Sequence, residues 1–457
     1  TGLMLKSNPN VLRENVPFNL EADSLNCIIL GDDVTPEMPE WDIFVKEVRK
    51  EMTSKCGQKC TAIRRIFVPE NKLEDLSKAI SKSLAQTTIG NPENEKVRMG
   101  ALAGQSQKKE VLEQVQKLLA SSQIIYGSLD SVELIDGDNN NGAFISPLLL
   151  KNEQPFQSDA VHNVEAFGPV STIMPYKNLE EAIALAKMGK GSLCSSVVTV
   201  NEQFAKNFIL GAGTYHGRIL VLNRDCAKES TGHGSPLPML IHGGPGRAGG
   251  GEEMGGLRGI RHYMQRVAIQ SSPTMLTAIT NVYQLGAAGK ITTVHPFKKY
   301  FEELKIGDQL VTKKRKITSE DIDQFADLSG DHFYAHIKTT DFTDTMFEEQ
   351  VAHGYFIMSA AAGLFVDSYE KNPVLLNYGI EELRFTKPVY PGTEIYIKLT
   401  CKEKIEQELR EITPETAHVK GIEIPKGIVK WYVEILDSTE TPLIGVGTIL
   451  TMVRKRN

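Results

Sequence analysis

Cysteine is scarce in this chain: six in 457 residues, at Cys27, Cys56, Cys60, Cys194, Cys226 and Cys401, with no regular spacing. A secreted disulfide framework needs them dense and matched, so the compartment expected is a reducing one, the cytoplasm. Metal ligands are equally thin, because Cys56 and Cys60 have no second Cys or His pair nearby at ligand spacing. No metal is expected. Basic charge is not in excess either, and a net charge of −6 argues against nucleic acid as a partner. No run approaches the roughly 18 apolar residues of a membrane span, and there is no repeat or low-complexity tract. The chain opens Thr1-Gly2-Leu3-Met4-Leu5, with neither an initiator methionine nor a signal-like segment, and is expected to begin within a longer protein.

What is present is ordinary globular material, 41% hydrophobic and 24% charged, and long enough for two to four domains. Gly286-Ala287-Ala288-Gly289 reads as a hinge, which divides the chain into residues 1–285 and 286–457.

The C-terminal part centres on Ser329-Gly330-Asp331-His332-Phe333-Tyr334-Ala335-His336. A carboxylate and a neutral imidazole converging on one point can hold a water, one taking its proton while the other orients it. A bare acid and imidazole five residues apart are more often turn residues, the Asp following Gly330. The flanks shift that balance. Thr318 can cap a helix with Asp321 closing a capping box, and Ile322, Phe325 and Leu328 recur at helical spacing. Beyond His353, Gly354 to Phe365 is apolar nearly all round and predicts a buried helix. Two strands are predicted, one from Glu394 to Cys401, with Ile395, Ile397 and Leu399 on one face, and one from Gly427 to Leu436.

In the N-terminal part Trp41, Phe44, Val45, Val48 and Met52 mark an amphipathic helix, and Ile63 to Val68 a strand stopped by Pro69. Between them lies Cys56-Gly57-Gln58-Lys59-Cys60-Thr61-Ala62. A cysteine in such a loop is either structural or a nucleophile open to solvent and to donors that lower its pKa. Gly244-Pro245-Gly246-Arg247-Ala248-Gly249 fits G-x-G-x-x-G, but no convincing strand precedes it and no acid follows at the ribose-binding distance, so it reads as a loop. Asp136 to Gly142 starts like a calcium loop, yet Pro147 stands where the bidentate Glu belongs; it reads as a turn. Val267-Ala268-Ile269-Gln270 is strand-like, and a helix is expected around Met275 to Leu285.

Two families are legible in these residues. F-A-x-x-S-G-D-x-x-x-x-H, followed by Ala352-His353-Gly354 and a buried helix, resembles the MaoC-like (R)-specific enoyl-CoA hydratases. Their fold, an α+β hotdog, wraps a long helix in an antiparallel sheet. The resemblance implies that Asp331 and His336 activate water toward a double bond conjugated to a CoA thioester, and that the Gly354 N–H receives charge on the thioester oxygen. Phe333-Tyr334 departs from the Asn or Asp and Pro usual there, which bears on the shape of the acyl pocket. The segment Gly57-Gln58-Lys59-Cys60-Thr61-Ala62, Glu165-Ala166-Phe167-Gly168-Pro169, Leu220 to Asn223 and the glycine-rich Gly243 to Gly256 resemble the aldehyde dehydrogenase superfamily, an α/β fold. That resemblance makes Cys60 the nucleophile, Glu21, 39 residues earlier, the general base, and Glu165 and Phe167 contacts of the nicotinamide riboside. Around Glu21 the motif is altered, so the base is assigned by position. The superfamily's N-terminal dinucleotide-binding domain is expected to be largely missing, leaving efficient aldehyde turnover to the full-length protein.

Joined, the two halves resemble the bifunctional ring-opening family of aerobic phenylacetate degradation. That resemblance implies hydrolytic opening of oxepin-CoA and NADP- (or NAD-) dependent oxidation of the semialdehyde released. The expected assembly is a homo-oligomer held by the dehydrogenase tail and the hotdog domain, with no membrane partner. The alternatives are a general enoyl-CoA hydratase with a vestigial dehydrogenase region, and an N-terminal part that serves only assembly.

Overall fold

Cys27-Ile28-Ile29-Leu30 forms strand β1 and is buried at every position, as a strand covered on both faces must be. Cys27 and Ile29 enter one apolar cluster and Ile28 and Leu30 another, the period of two in a pleated strand. The computed structural model describes residues 2–130, 132–235, 240, 242–250, 256–366, 370–408, 424–438 and 443–456. They form two units, Thr1–Gln265 and Arg266–Asn457.

In the first unit β1 is joined by β2 (Arg65–Pro69), β3 (Gln123–Tyr126), β4 (Leu148–Lys151), β5 (Val170–Tyr176), β6 (Ser192–Val198) and β7 (His216–Leu222), in the order β3-β4-β5-β2-β1-β6-β7. All neighbours run parallel except the edge strand β3, antiparallel to β4. The expected helix is Pro39–Thr53; Phe44, Val48 and Met52 face the sheet on one side, while Phe204 and Phe208 of Glu202–Ala212 cover the other. This is the α/β fold expected.

The second unit contains β8 (Lys290–Ile291), β9 (Asp308–Val311), β10 (Arg315–Lys316), β11 (Val374–Phe385), β12 (Glu394–Glu406), β13 (Lys426–Asp437) and β14 (Leu443–Arg454). The order is β11-β14-β13-β12-β9-β8, with β10 on β12. Ile395, Ile397 and Leu399 turn inward as their alternation predicts, against Phe356, Ile357, Ala361 and Phe365 of the helix Gly354–Phe365. A helix held in a mostly antiparallel sheet is the α+β hotdog arrangement.

Four expectations are corrected. The units divide at Gln265/Arg266 rather than near 286, because the Tyr283 N–H donates to the Lys402 carbonyl at 2.8 Å and its ring is buried in the second unit. Val267 to Gln270 is not a strand but an exposed segment, and the helix after it is Pro273–Thr280, ended by Asn281 in the left-handed conformation. The helix Gly354–Phe365 is not buried all round: Tyr355, Ser359 and Gly363 form an exposed stripe. In Ser319–Ser329 the inward positions are Ile322 and Ala326, and Leu328, roughly two thirds of a turn from Ile322, is 84% exposed.

The two decoys are packing features. Asp138 accepts from Asn140 N–H at 2.8 Å and Asn141 Nδ2 at 2.7 Å, a self-contained turn. Gly249 lies so close to the Leu20 carbonyl that a Cβ would stand 1.9 Å away, and the glycine run is there for backbone approach. Of the Gly243 to Gly256 run and the helix expected from Glu252, residues 251–255 lie outside the described residues; the helix described is Gly256–Tyr263. Among the described residues no helix is long and apolar enough to cross a membrane.

Candidate functional site

The first site lies at the amino ends of β1, β2 and β5, not at the carboxyl ends where open parallel sheets commonly bind ligands. Lys55 and Cys56 turn the chain out of the helix Pro39–Thr53 with positive φ of 51° and 52°, and Cys60 follows, half-buried. Its loop is anchored from below by Asn26, which is wholly buried. Asn26 Nδ2 donates to the carbonyls of Cys60 at 2.8 Å and Ala62 at 3.0 Å, while Oδ1 accepts from Cys194 N–H at 3.1 Å and from the Ser24 hydroxyl at 2.6 Å.

Glu21 is brought to Cys60 as its position implied. Glu21, Cys60 and His242 each place one polar atom within 4.8 Å of the others, and His242 Nε2 stands 3.8 Å from Glu21 Oε1. Burial first, and then the Glu21 carboxylate, push the Cys60 thiol up. His242 escaped the sequence reading, and the signal for it was the imidazole directly before the glycine run.

Glu165 and Phe167 flank the same edge. Glu165 is pushed up to about 7 by burial, against the opposing pull of Arg64, whose Nε lies 3.7 Å from Glu165 Oε1. Arg64 is otherwise committed to the carbonyls of Gly168 (2.6 Å) and Gly57 (2.7 Å), which leaves that carboxylate oxygen buried without a hydrogen bond. Phe167 is 38% exposed, with the Arg64 guanidinium 5.4 Å from its ring centroid. An open cavity of about 480 Å³ adjoins Phe167 and is lined by Cys56, Gln58 and Arg98 but not by Cys60.

The second site is built on the predicted cap. Thr318 and Asp321 form the capping box of Ser319–Ser329, and Gly330 ends that helix at φ 76°. Gln350 then ties three segments together: its Oε1 accepts from Ser319 Oγ at 2.5 Å, and its Nε2 donates to Asp323 at 2.8 Å and to the His336 carbonyl at 2.8 Å. With Val351 N–H on the Ala335 carbonyl at 2.8 Å, residues 350–353 lie alongside 335–336.

This juxtaposition fixes the imidazoles. His336 Nδ1 is 2.7 Å from the Val351 carbonyl; a carbonyl only accepts, so Nδ1 carries the proton and Nε2 of the neutral ring is left as a base. His353, which the sequence reading passed over in favour of Gly354, donates from Nε2 to the Asp331 carbonyl at 2.8 Å and stacks on His336 at 3.7 Å between ring centroids. Burial holds His353 below the usual imidazole range, and its Nδ1 is enclosed with no hydrogen-bond partner. Asp331, His336 and His353 each place one polar atom within 4.8 Å of the others. Gly354 opens its helix with no side-chain cap, and a Cβ there would stand 2.5 Å from the Phe385 ring.

Residues 15–269 match the aldehyde dehydrogenase family, and residues 302–421 match the MaoC like domain. Protein MaoC of Klebsiella aerogenes is 52% identical over 307 residues, 67% of this chain and 90% of that protein. The 3,4-dehydroadipyl-CoA semialdehyde dehydrogenase of Aromatoleum evansii is 40% identical over 245 residues, 54% of this chain and 48% of the relative, so the chain spans about half of that dehydrogenase. A betaine aldehyde dehydrogenase from Staphylococcus aureus, solved with NAD+, is 20% identical over 57% of this chain and 49% of its own, with a TM-score of 0.49. On its match over more than half its length, the chain belongs to the aldehyde dehydrogenase family, to which it joins a MaoC-like domain.

Proposed function

We propose that the C-terminal unit opens oxepin-CoA by hydration, and that in the complete protein the N-terminal unit takes part in NADP-dependent oxidation of the semialdehyde released, as a step of phenylacetate catabolism. The observation that carries the reading is the fixed tautomer of His336 beside Asp331 at the mouth of an uncapped helix. The names of the relatives, MaoC and a dehydrogenase of a CoA-linked semialdehyde, agree with it.

In hydration, His336 Nε2 takes a proton from water while Asp331 orients it, and the hydroxyl adds to the conjugated ring carbon. Electron density moves to the thioester oxygen, where the Gly354 N–H at the helix amino end receives it. As that density returns, the His336 imidazolium gives its proton to the α-carbon, and the adduct, a hemiacetal, opens by breaking the ring C–O bond to the semialdehyde. In oxidation, Cys60 attacks the aldehyde carbon and holds the acyl group as a thioester, and Glu21 deprotonates the water that releases it. A bound nicotinamide supplies the hydride acceptor. The unpaired Glu165 oxygen fits a ribose hydroxyl donor, and the exposed Phe167 face fits the riboside. Neither reaction is proposed to need a metal.

The protein is proposed to work in the cytoplasm as a homo-oligomer. The edge strand β11 exposes Leu375, Leu376, Tyr378 and Ile380, and the segment after Gln265 exposes Val267 and Ile269. A second copy would cover them.

The test follows the absorbance of the conjugated thioester with oxepin-CoA and, separately, crotonyl-CoA, each with Asp331→Asn alongside. Fast loss of oxepin-CoA that Asp331→Asn abolishes is expected. Preference for crotonyl-CoA would make the protein a general enoyl-CoA hydratase, and an Asp331 variant as fast as the wild type would remove the acid–imidazole site from the mechanism.

A further inference from the structure

Beside Cys60 and Glu21 in the dehydrogenase-type site stands His242, to which the proposed reaction assigns no part. The His242 side chain is about a tenth exposed, with Nε2 3.8 Å from Glu21 Oε1 and within 4.8 Å of Cys60 Sγ. Its place is built by backbone pairing. Gly243 bridges Gly250, the Gly244 N–H donates to the Gly249 carbonyl at 2.8 Å, and Gly249 in turn bridges Glu21. The segments carrying His242 and Glu21 are therefore edges of one small antiparallel ladder.

The charges around this ladder leave a specific need. Cys60 and Glu21 are both acids in contact, and two such groups do not both ionise without a counter-charge. The nearby cations already face carboxylates: Lys59 pairs with Glu51 at 2.8 Å, Arg64 faces Glu165 at 3.7 Å, and Arg247 pairs with Asp23. His242 faces the thiol and the carboxylate together.

Resting on the reading of Cys60 as nucleophile, we infer that His242 is a positioning residue: it takes the Cys60 thiol proton and, as imidazolium, lets the thiolate and the Glu21 carboxylate coexist near neutral pH. The S–H bond breaks, the electron pair stays on sulfur and the proton moves to an imidazole nitrogen, so no oxidant, reductant or further reactant is required. Where the dehydrogenase motif supplies a nucleophile and a base, this site adds the charge that sets their ionisation.

The test is the pH dependence of Cys60 alkylation by iodoacetamide on the whole chain, read by mass spectrometry of the Cys60 peptide, with half-buried Cys226 as an internal control of folding. His242→Gln is expected to raise the midpoint by about one unit and slow labelling at neutral pH about tenfold. His242→Lys, which restores a cation, is expected to bring the midpoint back, and Glu21→Gln to lower it. A His242→Gln midpoint equal to the wild type, with Cys226 labelled at the wild-type rate, overturns the inference. So does a His242→Lys midpoint as high as that of His242→Gln. Aldehyde oxidation by the complete enzyme that survives Cys60→Ala would instead remove the nucleophile assignment, and would leave the alkylation comparison standing.

Discussion

Removing Asn26 should loosen the Cys60 loop without touching any group proposed to react. In Asn26→Ala the carbonyls of Cys60 and Ala62 and the N–H of Cys194 all lose their partner beneath the sheet edge. A buried backbone group left unpaired costs roughly 1–3 kcal/mol, so the three together should cost about 3–9 kcal/mol, or about 2–6 kcal/mol if water reaches the half-buried Cys60 carbonyl. The two tryptophans make the measurement clean, because Trp41 lies in the first unit and Trp431 in the second. In a Trp431→Phe background, urea unfolding followed by fluorescence reports the first unit alone. Alkylation of Cys60 should become faster, with its pH midpoint falling toward that of a free thiol as the loop opens. A loss under about 1 kcal/mol with unchanged alkylation would refute the claim that Asn26 holds the loop.

Acid should destabilise the first unit. Burial pushes His162 down to about 4 and His216 and His233 each down to about 3, so these rings stay neutral when folded while the unfolded chain takes up protons below its ordinary value of 6.5. Stability therefore falls as pH drops from about 6.5, by about 2 kcal/mol per histidine at pH 5, offset in part by Glu165, whose raised value lets the folded chain take up one proton over the same range. Urea midpoints at pH 7 and pH 5 measure this, and equal midpoints would contradict it. In the hydratase-type site, His353→Phe keeps a ring over His336 but loses the donor to the Asp331 carbonyl. Oxepin-CoA hydration should slow about tenfold, as expected for roughly one strong hydrogen bond, with His353→Gln milder; equal rates would make the donor irrelevant. Lysine at Tyr378 and Ile380 of β11 should lower the oligomeric mass on size exclusion, and an unchanged mass would mean that no second copy covers this strand.

Local features were legible where one segment decides its own structure. The run at β1, the alternation of Ile395, Ile397 and Leu399, and the Thr318–Asp321 cap each depend on neighbours a few residues away. Leu328 was misread because its spacing from Ile322 fits a helix but not the face chosen by Ala326. His353 and His242 were missed because their partners lie far away in sequence, although each stands beside a glycine motif. The first is brought to His336 by the Val351–Ala335 pairing, and the second to Glu21 by a loop returning from beyond β7. Val267 to Gln270 fitted a strand by composition, but a strand needs a partner, and none is present in this chain's described sheets.

Sheet order explains how residues as distant as Glu21, Cys60 and Glu165 come to share an edge. They lie just before β1, β2 and β5, which are neighbours in the order β5-β2-β1, so separations of tens of residues become strand spacings of about 5 Å. Chemistry placed this way should be breakable through backbone pairing alone. Gly249 offers the sharpest case: its φ of 59° and ψ of −151° lie in a region essentially reserved for glycine, and a Cβ would stand 1.9 Å from the Leu20 carbonyl. Gly249→Ala should therefore open the bridge to Glu21 and move Glu21 and His242 apart while leaving Cys60 on its Asn26 anchor. Alkylation should still occur, with its pH midpoint displaced, and hydration by the second unit should hold its wild-type rate as an internal control. A Gly249→Ala chain that keeps the wild-type midpoint would show that the ladder does not set the ionisation of Cys60, however close its edges lie.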